Sequence, residues 1–260
     1  LFKTRRIYCS DNEPQQVFTR SSTTGQTPAK HYVADLSIYE RAFTLAFERF
    51  YGPVDRMAIF ALLPSYLERE GSSLIYMADR LIRQGGGGFY LHDHDALLRD
   101  LHAHRGPKIL LGVSYALWDL ADRKPGPLPE TIVMETGGMK GRRREMPREE
   151  FHRMLCAAFS VPSIHSEYGM AELMSQAYSQ GDGLFRTPPW MRVLTRDLND
   201  PFAWAGSGRS GGINVIDLAN VYSCSFLQTQ DFGKAYDDGT FRIEGRITGS
   251  EIRGCNLLVQ

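Results

Sequence analysis

The chain has 260 residues, 42% of them hydrophobic and 23% charged, so it is long enough for one large domain or two small ones and can bury a substantial core. Thirty basic residues balance thirty acidic ones, which argues against a general nucleic-acid-binding or anionic-membrane surface. Four dispersed cysteines (Cys9, Cys156, Cys224 and Cys255) form no C-x-x-C pair, and no apolar run approaches the ~18 residues of a membrane span, so the expectation is a reduced, cytoplasmic protein with neither nucleic acid nor membrane among its partners.

The first distinctive stretch is 21–30 (SSTTGQTPAK), which has four consecutive hydroxyl residues and no large apolar side chain, so it is not core. Its hydroxyls, the backbone N–H groups beside Gly25 and the ammonium of Lys30 are the donors a polyanion needs; a solvated Ser/Thr linker is the alternative. Leu36, Tyr39, Phe43, Phe47 and Phe50 then recur at spacings of three and four, the apolar face of a helix that Gly52-Pro53 ends. The run 56–63 (RMAIFALL) predicts a strand buried on both faces and stopped by Pro64. A helix over 74–82 closes at Gly85 to Gly88. A second buried strand at 108–113 (KILLGV) precedes a helix through Leu117 and Trp118. A third strand at 131–135 (TIVME) precedes a helix over 148–159. Strand–helix alternation predicts a parallel α/β sheet flanked by helices over 1–189. From about Trp190, short strand-like runs at 191–195, 213–218, 225–229 and 241–245 follow without helices, and Asp237-Asp238-Gly239-Thr240 is a hairpin-turn signal. Residues 190–260 therefore predict an antiparallel sheet or partial barrel.

Ligands of parallel sheets bind just beyond strand ends, which directs attention to three segments. Gly137 and Gly138 follow the strand at 131–135 and let a flat ligand approach the backbone, or simply form a tight turn. Around 164–172, Tyr168 offers a stacking face beside Gly169, and Glu172 a hard oxygen ligand; a packed loop is the plain alternative. In the last third, the carboxylate of Asp231 can accept both hydroxyls of a ribose, and Arg246 can pair with phosphate.

In this order the segments resemble the adenylate-forming superfamily, over nearly the whole chain. Within it, Glu135-Thr136-Gly137-Gly138-Met139-Lys140-Gly141, Leu111-Gly112-Val113-Ser114 with Trp118, and Gly245-Arg246 followed by 249–255 (GSEIRGC) are similar to the acyl-protein synthetases of bacterial luciferase (fatty acid reductase) systems. The resemblance implies the large-domain fold of adenylate-forming enzymes, with ATP and Mg²⁺ as cofactors. Ser22, Thr23, Thr24, Gly25 and Lys30 would hold the β/γ-phosphates; Gly137, Gly138, Glu167, Tyr168 and Gly169 would line the adenine site; Glu172 would ligate Mg²⁺; Asp231 would bind the ribose, with Arg246 near ribose or phosphate. It further implies a carboxylic acid, in first place a fatty acid, activated as its acyl-adenylate. Cys255 would then take the acyl group as a thioester and pass it to an acyl reductase or another acyl-acceptor protein, with Lys30 and Arg246 assisting the chemistry.

The neighbouring Arg253 favours a thiolate at Cys255, although 256–259 (NLLV) also reads as a strand in which that cysteine is a small hydrophobe. An acid–CoA ligase of the phenylacetate type, with CoA as acceptor, is the second reading. A degenerate member that binds nucleotide or an acyl-protein without turnover is the third, supported by Ala171 at a position where the superfamily carries Thr or Ser. Only 20 residues precede the hydroxyl-rich stretch, so the N-terminal subdomain is expected to be incomplete, and no separate lysine-bearing C-terminal domain is expected. His92, His94, His102 and His104 read as a solvated helix face rather than a metal site, and Arg142, Arg143 and Arg144 as solvent-facing. Gly112-Val113-Ser114-Tyr115-Ala116 lacks the second glycine of a hydrolase elbow.

Overall fold

A computed structural model describes residues 2–19, 28–63, 71–139, 142–200, 202–248 and 251–253. Ser22, Thr23, Thr24 and Gly25 of the expected phosphate loop, and Cys255, lie outside the described residues.

The chain opens with two short strands, β1 (Gln16–Thr19) and β2 (Lys30–Val33), paired antiparallel as a two-stranded sheet of their own. Helix α1 (Leu36–Tyr51) starts at Asp35, whose carboxylate accepts from the Ser37 N–H, and ends where Gly52 takes a left-handed φ of 81°. It buries Tyr39, Phe43 and Phe47 as their spacing predicts. The strand β3 (Ala58–Leu62), the helix α2 (Ser73–Gly85), a short β4 (Gly87–Phe89) and α3 (His94–Ala103) follow. Next come β5 (Lys108–Val113), α4 (Ser114–Asp122), β6 (Thr131–Thr136), α5 (Arg148–Phe159) and β7 (Ile164–Tyr168). The remainder is β8 (Ala177–Ser179), β9 (Phe185–Arg186), β10 (Met191–Arg196), β11 (Ser210–Asp217), β12 (Phe226–Ala235), β13 (Phe241–Thr248) and β14 (Glu251–Arg253).

Strands β4, β3, β5, β6 and β7 are parallel neighbours in that order. Both β3 and β5 are buried at every position, as strands covered by helices on both faces must be. The sheet then turns antiparallel at β8 and continues through β9, β13, β12 and β11 to β10, with β14 added beside β13. The antiparallel strands thus extend the parallel sheet rather than closing a barrel. At the predicted hairpin, Gly239 has φ +80° and Tyr236 N–H donates to the Thr240 carbonyl.

Two readings of element extent change. Residues 164–168 form a strand rather than a packed loop, and Asp231 lies within β12 rather than beyond a strand end, opposite Arg246 of β13. The main core packs around the parallel strands, and a smaller cluster containing Leu173, Phe185, Met191, Ile213, Val215 and Phe241 lies under the antiparallel ones. No helix among the described residues is long and apolar enough to cross a membrane.

Candidate functional site

The register aligns Val113 with Thr136 and Thr136 with Glu167, so the carboxyl ends of β5, β6 and β7 finish at one edge of the sheet. That edge is where an open parallel sheet presents ligands. Behind it, on the α4/α5 side, Glu135 is an acceptor hub. Ser114 Oγ donates to it at 2.7 Å and Ser166 Oγ at 2.9 Å, while His152 Nε2 lies at 3.4 Å and Arg148 Nη1 at 3.6 Å. Burial works to raise this carboxyl, but Arg148 and His152, together with the serine hydroxyls, outweigh it and hold it at about 2. Three elements, α4, α5 and β7, are pinned to one ionised group on β6.

Alternation sends the next residues to the opposite face. Thr136 Oγ1 donates to Glu167 Oε2 at 2.5 Å. Burial pushes the Glu167 carboxyl up to about 7, against the Thr136 hydrogen bond, and the charge of Glu135 adds to the rise. The charge of this acid raises the phenols of Tyr39, Tyr51 and Tyr178 beyond what burial does. A Cβ on Gly169 would stand 2.4 Å from Glu167 Oε1, so any side chain here would force that carboxyl to shift. Glu167, expected to line the adenine site, therefore points inward beneath the backbone that follows Tyr168.

Tyr168, the last residue of β7, donates its hydroxyl to Asp231 Oδ2 at 2.8 Å, and Arg246 Nε lies 3.4 Å from Asp231 Oδ1. The tyrosine ring is fixed edge-on by Phe185 and Phe241, at 6.0 and 5.5 Å between centroids. Three residues far apart in sequence are thus brought together by β7, β12 and β13. A carboxylate has about four acceptor sites, so Asp231 keeps capacity for two further hydroxyl donors.

The loop after β7 carries Glu172, which is buried, and whose Oε2 has no hydrogen-bond partner among the described residues. No group of three or more His, Cys, Asp or Glu side chains gathers as a metal cage among those residues. One unengaged carboxylate oxygen can supply a single ligand to a hard cation such as Mg²⁺ and does not by itself hold one. The loop is clamped from several sides: Asn220 Nδ2 donates to the Glu172 carbonyl, Met174 N–H and Ser175 N–H donate to Asp217 Oδ2, and His31 Nδ1 lies 2.8 Å from the Ala171 carbonyl.

His31 adjoins Lys30, so the strand leaving the expected phosphate loop touches the Glu172 loop, while Lys30 itself is solvent-exposed. Gly137, with φ +73°, and Gly138 follow Thr136 directly, and a Cβ at Gly138 would meet nothing, leaving that backbone open. Sequence reading missed Thr136, His31, Asp217 and Asn220. Among them only Thr136 carried a signal, its place beside the glycine pair. The four histidines of 92–104 are not gathered: His102, for one, meets the carbonyls of Leu98 and Pro127.

No protein-family model matches the chain. Over 137 residues, 48% of this chain and 35% of the relative, the sequence is 26% identical to the long-chain-fatty-acid–luciferin-component ligase of Vibrio harveyi. Among solved structures, ATP-bound MatB from Rhodopseudomonas palustris aligns with a TM-score of 0.65 at 17% identity, covering 88% of this chain and 47% of that one. A long-chain-fatty-acid–CoA ligase from Archaeoglobus fulgidus aligns with a TM-score of 0.64 at 14% identity, covering 89% of this chain and 51% of that one. The match thus spans about a third of the curated relative and about half of these solved structures. The chain has the large-domain fold of adenylate-forming enzymes and is similar in sequence to a fatty-acid ligase.

Proposed function

We propose that this chain is the adenylating part of an acid–thiol ligase, which uses ATP to activate a carboxylic acid, in first place a fatty acid, and delivers the acyl group to a protein cysteine. The observation that carries the reading is the Tyr168–Asp231–Arg246 constellation, assembled from three strands in the fold of ATP-bound MatB. A substrate carboxylate oxygen attacks the α-phosphorus; the new P–O bond forms as the bond to the bridging oxygen of the β-phosphate breaks, and pyrophosphate leaves. A thiolate then attacks the acyl carbon, and AMP departs with the electrons of the broken C–O bond.

In this reading Tyr168 lies against the base, Asp231 accepts the ribose hydroxyls, and Arg246 both steadies that carboxylate and faces the phosphates. Glu172 would hold Mg²⁺, which supplies charge neutralisation at the phosphates. Lys30 and the hydroxyls of Ser22, Thr23 and Thr24 are assigned to the leaving pyrophosphate, and Cys255 to the acyl group.

Acid-dependent exchange of labelled pyrophosphate into ATP by the intact protein is expected with a fatty acid. Absence of exchange across a panel of carboxylic acids, from a protein shown to be folded, would overturn the reading. Thioester on the protein that forms without CoA and is lost in Cys255→Ser is expected; thioester formed only on added CoA would move the acceptor to CoA.

A further inference from the structure

We infer that His31 is a positioning residue: it fixes the peptide plane entering Glu172 and so ties the strand leaving the phosphate loop to the loop that bears this carboxylate. The inference rests on the adenylation reading for what the two loops hold, whereas the tie itself is a matter of geometry.

The Ala171 carbonyl belongs to the peptide unit joining Ala171 to Glu172. Peptide planarity means that whatever holds this oxygen orients the whole unit up to the Glu172 Cα. His31 Nδ1 stands 2.8 Å from that oxygen, and a carbonyl only accepts, so Nδ1 carries the proton and the ring's tautomer is set. On the other side of Glu172, its own carbonyl accepts from Asn220 Nδ2 at 2.8 Å. Both peptide planes flanking Glu172 are thereby held, and with them the direction in which its Cβ leaves the backbone.

The two clamps come from different elements and meet at the His31 ring, which the Asn220 side chain also engages. Asn220 and Asp217, which takes Met174 and Ser175 N–H, belong to the end of β11 and the turn after it, and they hold the rear of the loop to the main sheet. His31 belongs to β2, whose backbone pairs with β1 in a separate two-stranded sheet. It is 1% exposed, its ring is met edge-on by Phe2 at 5.6 Å, and burial lowers its imidazole against the opposing pull of the Ala171 carbonyl, the Asn220 side chain, Glu172 and Asp217. Because residue 171 is alanine, it offers the site no hydroxyl and contributes through this carbonyl. Losing the donor leaves a buried carbonyl unsatisfied beside Glu172.

The test compares His31→Leu, which fills the volume without donating, with His31→Asn, whose Nδ2–H occupies the position of Nδ1–H, both in the full chain. Hydrogen exchange at the amides of Leu173, Met174 and Ser175 needs no turnover. It is expected to speed up about tenfold or more in His31→Leu and to stay near wild type in His31→Asn. In pyrophosphate exchange, kcat is expected to fall roughly 10- to 100-fold in His31→Leu with KM for the acid unchanged, and to recover in His31→Asn. Equal protection and equal kcat in the two variants would overturn the role. If His31→Leu does not fold, wild-type protection in His31→Asn supports it and lost protection there refutes it. A wild-type protein without exchange activity would sink the adenylation reading alone, because amide protection still decides the tie.

Discussion

Glu135 and Glu167 stand on adjacent strands with carboxyls shifted in opposite directions: the first is held as a carboxylate by Arg148 and His152, the second is buried and accepts from Thr136. Their contributions to stability therefore run in opposite directions with pH. Glu167 is raised to about 7, so its contribution is fully present below the ordinary glutamate range and is lost as pH rises toward 7. Glu135 is lowered to about 2, so its contribution is present above the ordinary range and lost as pH falls through it. Urea unfolding of wild type and Glu167→Gln across pH 5 to 7, roughly that interval, isolates the first effect. Wild type should lose stability relative to the variant at roughly 1 kcal/mol per pH unit, and parallel curves would contradict the burial of an acid at this position. Also at this scale, Tyr168→Phe keeps the ring but removes the donor to Asp231. KM for ATP should rise about tenfold, the size of a hydrogen bond to a charged group, with little change in thermal stability.

At the scale of elements, the turn from β7 into the Glu172 loop depends on a missing side chain. Gly169→Ala would set a methyl 2.4 Å from Glu167 Oε1, the end of a side chain that Thr136 holds by a hydrogen bond. A loss of about 1–3 kcal/mol is expected in thermal melts. Much of it should be recovered in the Glu167→Ala background, a double-mutant cycle that assigns the clash to this pair. The same region shows what a sequence can reveal. The strand β5 and helix α5 have the bounds that their patterns predict, because one is apolar throughout and the other has a clean helical stripe. The pattern of β7 is hidden because its inward positions, Ser166 and Glu167, are polar and satisfied by Glu135 and Thr136 on the neighbouring strand. Asp231 was placed beyond a strand end for a similar reason: Gln230, Asp231 and Gly233 break the apolar alternation, yet β12 runs through them to pair with β13. Tyr168, Asp231 and Arg246 stand out in the sequence as residue types, and the fold brings them into contact. His31, Asn220 and Asp217 do not stand out, because their roles depend on backbone groups that no local spacing encodes.

For the whole molecule, one continuous sheet links the parallel and antiparallel parts, and Phe241 lies at their junction. It is fully buried, stacked on Phe185 at 5.2 Å and edge-on to Tyr168. Phe241→Ala should cost about 3–5 kcal/mol. Far-ultraviolet circular dichroism and tryptophan fluorescence should continue to report one coincident transition, since Trp118 and Trp190 pack against the main core and Trp204 bridges to Arg196 of β10. Separated transitions would mean that the two parts unfold independently.

The position of β13 bears on how the protein is made. It is inserted between β12 and β9, both of which leave the ribosome before it. Until residues 241–248 emerge, two fragments of sheet present facing, unpaired edges, the kind of surface that recruits stray strands from other chains. A nascent chain halted short of this strand would also hold Tyr168 and Asp231 without the Arg246 that completes their constellation. Translation pausing or holdase protection over that interval would keep those edges apart until β13 arrives to join them.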